Sequence, residues 1–310
     1  MTVEEIYMAI LSSVGLVCNA VSFSFFIEKR GELGNLLLSY LNIADVIVNL
    51  AVFLYLIAPA LQDVFTSMVL VTISEHVFRS SILVTGLITI YLNILRTSAI
   101  VWPMLRFKRR HLHVSLIILN LVFVVVEVFL GVFYTYPLST YYNYYAKLPG
   151  VETPPPSIKD NQIAQFFELQ PVIFGTPIIF LVTICCVVSA AKLFRPNKTL
   201  HEVQDSGARI NAAVTVLILG VQYVVCNSIA LALLGIYMYY NLHVSRGEAY
   251  LLKVLGAMTL ILNSALNPIL YICRVKKLRQ HFVDIARCVC LKKRDEVDRR
   301  PSASVREMAM

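Results

Sequence analysis

Six polar residues interrupt long apolar runs: Asn19, Asp45, Thr85, Asn263, Ser264 and Asn267. Amide and ionisable groups cost free energy in an apolar medium, so each needs a partner or a task. By depth in their runs the six lie at comparable levels. One carboxylate with several amides and hydroxyls is a donor set that suits a small hydrated cation, since a hard ion prefers oxygen ligands. A purely structural network with Asp45 protonated uses the same residues, and their types alone leave both readings open. Pro268 adds a mechanical element. It has no N–H, so the carbonyl of Ser264 loses its helical partner, and a helix weakened there suits a hinge. A kinked helix whose polar groups satisfy one another is the plainer alternative. No metal cluster, phosphate loop or nucleophile elbow occurs, so no catalytic residue and no enzyme activity is expected.

These residues need elements that hold them at depth. The chain has 310 residues, 58% hydrophobic and 15% charged. Soluble domains carry about 25% charged residues, so membrane residence is the first expectation. A spanning helix needs about 20 mostly apolar residues. Seven segments qualify, at 6–27, 33–61, 64–95, 114–136, 161–191, 210–240 and 250–273. Backbone in lipid has no water partners, so each must be helical. The fold expected is an all-α integral membrane bundle of seven transmembrane helices over 6–273, after an extracellular segment 1–5. A basic amphipathic stretch, 274–290, follows with Leu278, Phe282 and Ile285 on one face, and a cytoplasmic tail occupies 291–310. With the amino terminus outside, 22 of the 27 Lys and Arg residues fall on inner loops and tail. That bias puts the carboxy terminus in the cytoplasm of a multi-pass plasma-membrane protein. Membrane lipids, not nucleic acid, are the expected surroundings.

The seven cysteines form no secreted framework. Cys18, Cys185, Cys186, Cys226 and Cys273 sit in apolar runs, and Cys288 and Cys290 sit in the basic tail. No cleavable signal peptide is expected, and the first apolar run can act as its own insertion signal. The second outer loop, 137–160, is rich in tyrosine and stiffened by Pro154, Pro155 and Pro156. In the tail, R-R-P-S makes Ser302 a phosphorylation candidate, with an unmodified solvated tail as the alternative.

Several motifs together resemble the rhodopsin-like, or class A, G-protein-coupled receptors. N-S-A-L-N-P-I-L-Y, from Asn263 to Tyr271, resembles the NPxxY end of helix seven. L-N-I-A-D resembles the helix-two motif ending in the central aspartate, here Asp45, and Asn19 matches the helix-one asparagine. R-T-S-A-I-V-W-P, from Arg96 to Pro103, resembles the DRYxAIxxP end of helix three. F-G-T-P, ending at Pro177, resembles the helix-five proline motif, and Tyr223 with Cys226 fits helix six. The resemblance covers roughly residues 5–290, with its motifs in the family's order. It implies a receptor that binds an extracellular ligand and activates a heterotrimeric G protein. It implies a sodium-linked allosteric pocket at Asn19, Asp45, Thr85, Asn263, Ser264 and Asn267. It gives Arg96, Pro103, Pro177, Tyr223, Pro268 and Tyr271 roles in activation and coupling. It makes 274–290 a helix along the membrane surface, with Cys288 and Cys290 as palmitoylation candidates.

The chain also departs from the family. Leu95 replaces the acid before Arg96, Thr97 replaces the tyrosine after it, and Arg209 stands where helix six often supplies an acid. Arg96 therefore lacks its usual partners, and a weakened inactive state with basal signalling is expected. Asn227 stands at the usual tryptophan, Ile229 at the usual proline, and Cys185 at the tyrosine that would meet Tyr271. The usual outer disulfide is absent. Phe78 stands where amine receptors carry an aspartate, and Ile261 where opsins carry the retinal lysine, which disfavours a monoamine or retinal. Glu75 and Arg79, one turn apart, either pair with each other or face the pocket and read a charged ligand. With Lys253, Arg246 and the loop tyrosines they make a peptide or a small acidic molecule the expectation, in a pocket that also takes in Phe78 and Asn227. The departures are similar to those of invertebrate chemosensory or peptide receptors. A seven-helix transporter or channel without G-protein coupling is the alternative, although no inverted repeat is visible.

Overall fold

The computed structural model describes residues 3–58, 64–101, 114–115, 117–118, 121, 125, 162–193, 206–243 and 246–298. Seven helices are built from them: α1 (Val3–Glu28), α2 (Leu33–Ile57), α3 (Val64–Val101), α4 (Gln162–Leu193), α5 (Ser206–His243), α6 (Arg246–Arg274) and α7 (Lys276–Asp298). No strand occurs among the described residues. Helices α1 to α6 are long and apolar enough to cross a membrane, an all-helical multi-pass architecture. They correspond to the first, second, third, fifth, sixth and seventh expected spans. The fourth span is described only at 114, 115, 117, 118, 121 and 125, all helical.

The polarity of the bundle runs opposite to that of a soluble protein. Ser12, Asn19, Asn42, Asp45, Asn49 and Ser264 are buried inside. Val3, Ile10, Val14 and Val17 line an exposed face of α1, and Phe180, Val187, Val225 and Ile229 are exposed on α4 and α5. A soluble monomer rarely exposes so much contiguous apolar surface, whereas lipid accepts it. Around the bundle α1 packs on α2, α2 on α3, α3 on α4, α4 on α5, α5 on α6, and α6 back on α1. Cross-contacts of α3 with α5 and α2 with α6 fill the middle.

Most helices run past the bounds read from the sequence, and two do so furthest at one end. Helix α3 continues from 95 to Val101, since no Gly or Pro follows Gly86 in it. Helix α7 was expected to end at 290 but reaches Asp298, because 276–298 contains neither Gly nor Pro, and Pro301 lies beyond. The break between α6 and α7 is a single residue, Val275. Its N–H donates to the Tyr271 carbonyl at 2.7 Å, so the chain turns without an orphan donor. Leu278 is fully buried and Phe282 packs beside it, as the amphipathic pattern requires. His281 Nε2 meets Ser24 Oγ at 3.1 Å, tying α7 to α1.

Candidate functional site

The polar residues singled out by type converge on α6. Asn267 Nδ2 donates to Asp45 Oδ2 at 2.7 Å. Asn49 Nδ2 donates to the Asp45 carbonyl at 2.6 Å and to Ser264 Oγ at 2.8 Å. Glycine at position 15 permits this. A Cβ there would lie 2.5 Å from Asn49 Oδ1, so α1 approaches α2 only because the side chain is missing.

The Ser264 carbonyl, stripped of its helical donor by Pro268, has found another. Asn19 Nδ2 donates to it at 3.1 Å across the α1–α6 interface. From α5, Gln222 Nε2 donates to the Asn263 carbonyl at 2.8 Å and to Asn267 Oδ1 at 3.2 Å. The weak point of α6 is therefore clasped from two helices. Gln222 and Asn49 were missed in the sequence. Asn49 follows Asp45 by one turn, which was a usable signal. Gln222 was one of three amides, with Asn211 and Asn227, in an uncharged run, and nothing local named its partner.

Several buried acceptors around Asp45 remain unsatisfied. Asp45 Oδ1, Thr85 Oγ1, Asn19 Oδ1 and Asn49 Oδ1 have no hydrogen-bond partner. Asp45, Thr85, Asn263 and Ser264 line a void of about 10 Å³. That is about one probe sphere, enough for one water or one small ion. Orphaned oxygens from a carboxylate and a hydroxyl beside such a void fit the donor set a hard cation takes. Asn19 and Asn267 lie outside that lining and act on it through the bonds just described.

A much larger cavity, about 460 Å³, sits above this void. Ile82, Tyr223, Asn227 and Leu260 line both, so they form the partition between them. Asn227 Nδ2 donates to the Tyr223 carbonyl at 2.8 Å, which turns its amide nitrogen back along α5. Tyr223 reaches so close to α3 that a Cβ at Gly86 would lie 2.5 Å from its hydroxyl. Glu75, Phe78 and Arg79 line the large cavity. Arg79 Nη2 meets Glu75 Oε1 at 2.6 Å, so the two readings of this pair hold together: it faces the cavity and is internally matched.

At the other end of the bundle, Tyr271 is fully buried and packs edge-on against Phe26, ring centres 5.4 Å apart. Its hydroxyl has no hydrogen-bond partner. Phe26 on α1 thus occupies the face of Tyr271 that the sequence left unassigned. Arg96 Nη2 would lie 2.9 Å from a Cβ at Gly34, so its guanidinium rests on the start of α2. Its Nε is buried without a partner. Glu32, in the turn before α2, is its electrostatic neighbour, an acid outside the helix-three motif. Thr97 Oγ1 contacts Ser189 Oγ at 2.8 Å and donates to the Cys185 carbonyl at 3.3 Å, joining α3 to α4. Pro177 lies within α4, Cys288 is an exposed free thiol on α7, and Pro268 lies within α6. Lys253 and Cys290 fall on α6 and α7, outside the residues whose side chains are described. Pro103 and Ser302 lie outside the described residues.

No family model matches the chain, and no curated protein matches it.

Proposed function

We propose that the chain is a divergent rhodopsin-like G-protein-coupled receptor of the plasma membrane, amino terminus outside. The observation that carries the reading is the shared partition. Two voids of very different size meet at Ile82, Tyr223, Asn227 and Leu260. A ligand in the large one touches residues that also wall the Asp45 void. From there Asn263 and Ser264 lead straight to the clasped kink at Pro268.

A seventh helix, the fourth expected span at 114–136, is supported by five side chains. Val114, Ile117, Ile118, Leu121 and Val125 are all exposed, at helical spacing that puts them on one face. That stripe suits a helix with one side to lipid. Ser115, next to the stripe, lies 3.5 Å from Tyr91 of α3.

In this reading a ligand acts by binding one arrangement of the partition better than another, since equal affinity for both would shift nothing. Displacing Tyr223 or Asn227 moves α5 and with it Gln222, which releases one clasp on α6. The kink then reorients, Tyr271 leaves Phe26, and Arg96 leaves its seat over Gly34 to meet the G protein. A bound Na+ would supply positive charge beside Asp45 and favour the clasped state, with Asp45, Thr85 and Ser264 as its holders. The heterotrimeric G protein, the extracellular ligand and membrane lipid are the partners in this reading.

The test is a ligand screen in cells that express a promiscuous G protein, with Arg96→Ala as control. Ligand-dependent signalling lost in Arg96→Ala supports the receptor. Ligand-dependent ion or solute flux in cells lacking G proteins would instead support the transporter or channel.

A further inference from the structure

The lining of the large cavity narrows what it can hold. Most of that lining is apolar: Met8, Val52, Phe78, Leu231 and Ile261 are among its walls. Its volume of about 460 Å³ falls in the range of small-molecule sites. Among the described lining residues, the carboxylate and guanidinium groups are those of Glu75 and Arg79. They are already matched, Nη2 to Oε1 at 2.6 Å, on one face of α3. An anion entering this space finds an Arg79 whose charge is neutralised, and a cation finds a Glu75 likewise. Among the described lining residues neither ligand finds an unmatched opposite charge, and an uncompensated charge in a largely apolar, half-enclosed site is costly unless an existing pair is broken to receive it.

One lining group does ask for a partner. Ser74 is 1% exposed, lines the cavity, and its hydroxyl has no hydrogen-bond partner. A buried hydroxyl left unpaired is unfavourable, and a ligand hydroxyl or carbonyl reaching it would remove that cost.

We propose that the cavity takes an uncharged, mainly apolar small molecule with a single hydroxyl or carbonyl group that pairs with Ser74, and that the Glu75–Arg79 pair rejects acids and amines alike. This rests on reading the cavity as the receptor's ligand site. It replaces the acidic small molecule or peptide expected if Glu75 and Arg79 faced the pocket to read a charged ligand. The pair is therefore a specificity element, and its two halves have opposite effects when removed singly. Glu75→Gln frees a cation to receive acids. Arg79→Gln frees an anion to receive amines.

The test uses the full chain in lipid nanodiscs, without G protein. Thermal unfolding is followed with a thiol-reactive dye that reports on the buried thiols of Cys186 and Cys226. The probes are 1-decanol, decanoate and decylamine, matched in chain and differing in charge. Their partition into the bilayer is common to all variants, so differences between variants report the site. Ligands that bind the folded state raise the midpoint by mass action. In the wild type, decanol should stabilise at concentrations at least tenfold below the other two. In Glu75→Gln decanoate should lead, in Arg79→Gln decylamine should lead, and in the double variant decanol should lead again. Ser74→Ala should weaken decanol at least threefold. Decanoate or decylamine leading in the wild type overturns the inference, as does an order unchanged in both single variants. If a single variant does not fold, the wild-type order and the double variant still decide. No midpoint change with any probe in any variant would overturn the cavity as a ligand site, which is a failure of the receptor reading itself.

Discussion

Removing the side chain of Asn19 should cost stability only while Pro268 is present. The Nδ2 of Asn19 is the donor to the Ser264 carbonyl at 3.1 Å, and that carbonyl lacks a backbone donor because residue 268 is proline. Asn19 Oδ1 has no partner, so the loss on truncation falls on the donor. A buried polar group left unpaired costs about 1–3 kcal/mol, while measured couplings inside membrane bundles average about 0.6 and reach about 1.7 kcal/mol. We therefore expect a coupling of about 1 kcal/mol between the two positions. Asn19→Ala should destabilise the wild type by about 1–2 kcal/mol. In Pro268→Ala the backbone N–H of residue 268 returns to the Ser264 carbonyl, and Asn19→Ala should then cost about 1 kcal/mol less. The assay is a double-mutant cycle on denaturant unfolding in mixed micelles. Additivity within about 0.3 kcal/mol would refute the clasp, since uncoupled sites normally add to that precision.

Three further outcomes follow from the same geometry. Replacing choline by Na+ should raise the unfolding midpoint of the wild type, by about 1.4 kcal/mol of stability at ten times the dissociation constant. Asp45→Asn should abolish that difference, and a sodium response retained in Asp45→Asn would remove the ion from the account. Gly86→Ala should cost about 1–3 kcal/mol through overpacking, because its Cβ would lie 2.5 Å from the Tyr223 hydroxyl. Tyr223→Phe in the same chain should recover part of that loss, and no recovery would place the clash elsewhere, for instance on Ile178. Alanine at both Cys288 and Cys290 should abolish incorporation of radiolabelled palmitate in cells, and unchanged labelling would sink the lipidation sites.

Much of this was legible because proline and buried polar residues carry local rules. Pro268 announces an orphan carbonyl at Ser264 from sequence alone. That Asn19 supplies the donor was visible only as a similarity of depth, since 245 positions separate the two residues. Helix rotation decides whether such a pair meets, and the apolar runs constrain rotation weakly when one face meets lipid. Gln222 shows the limit: an amide in an apolar run signals a partner without naming it. The pairing of Glu75 with Arg79 was one of two readings that their one-turn spacing left open, and the 2.6 Å contact decides for it. Their place in a cavity wall depends on helices far away in sequence, and the ligand expected from the sequence changed with it. Tyr271 lost its motif partner at Cys185, and no sequence rule pointed to Phe26 on α1 as the surface that covers it.

Nucleotide exchange reads coupling of the chain to a G protein without any intervening step. The chain reconstituted in nanodiscs is mixed with purified heterotrimeric G proteins of each major class, and exchange of bound GDP is followed. Arg96 has Glu32 as its neighbour in place of the usual acids, and its Nε has no partner. Exchange above empty nanodiscs is expected for at least one class without added ligand, and it should be lost in Arg96→Ala. No exchange above background with any class would contradict it, as would exchange that Arg96→Ala leaves unchanged.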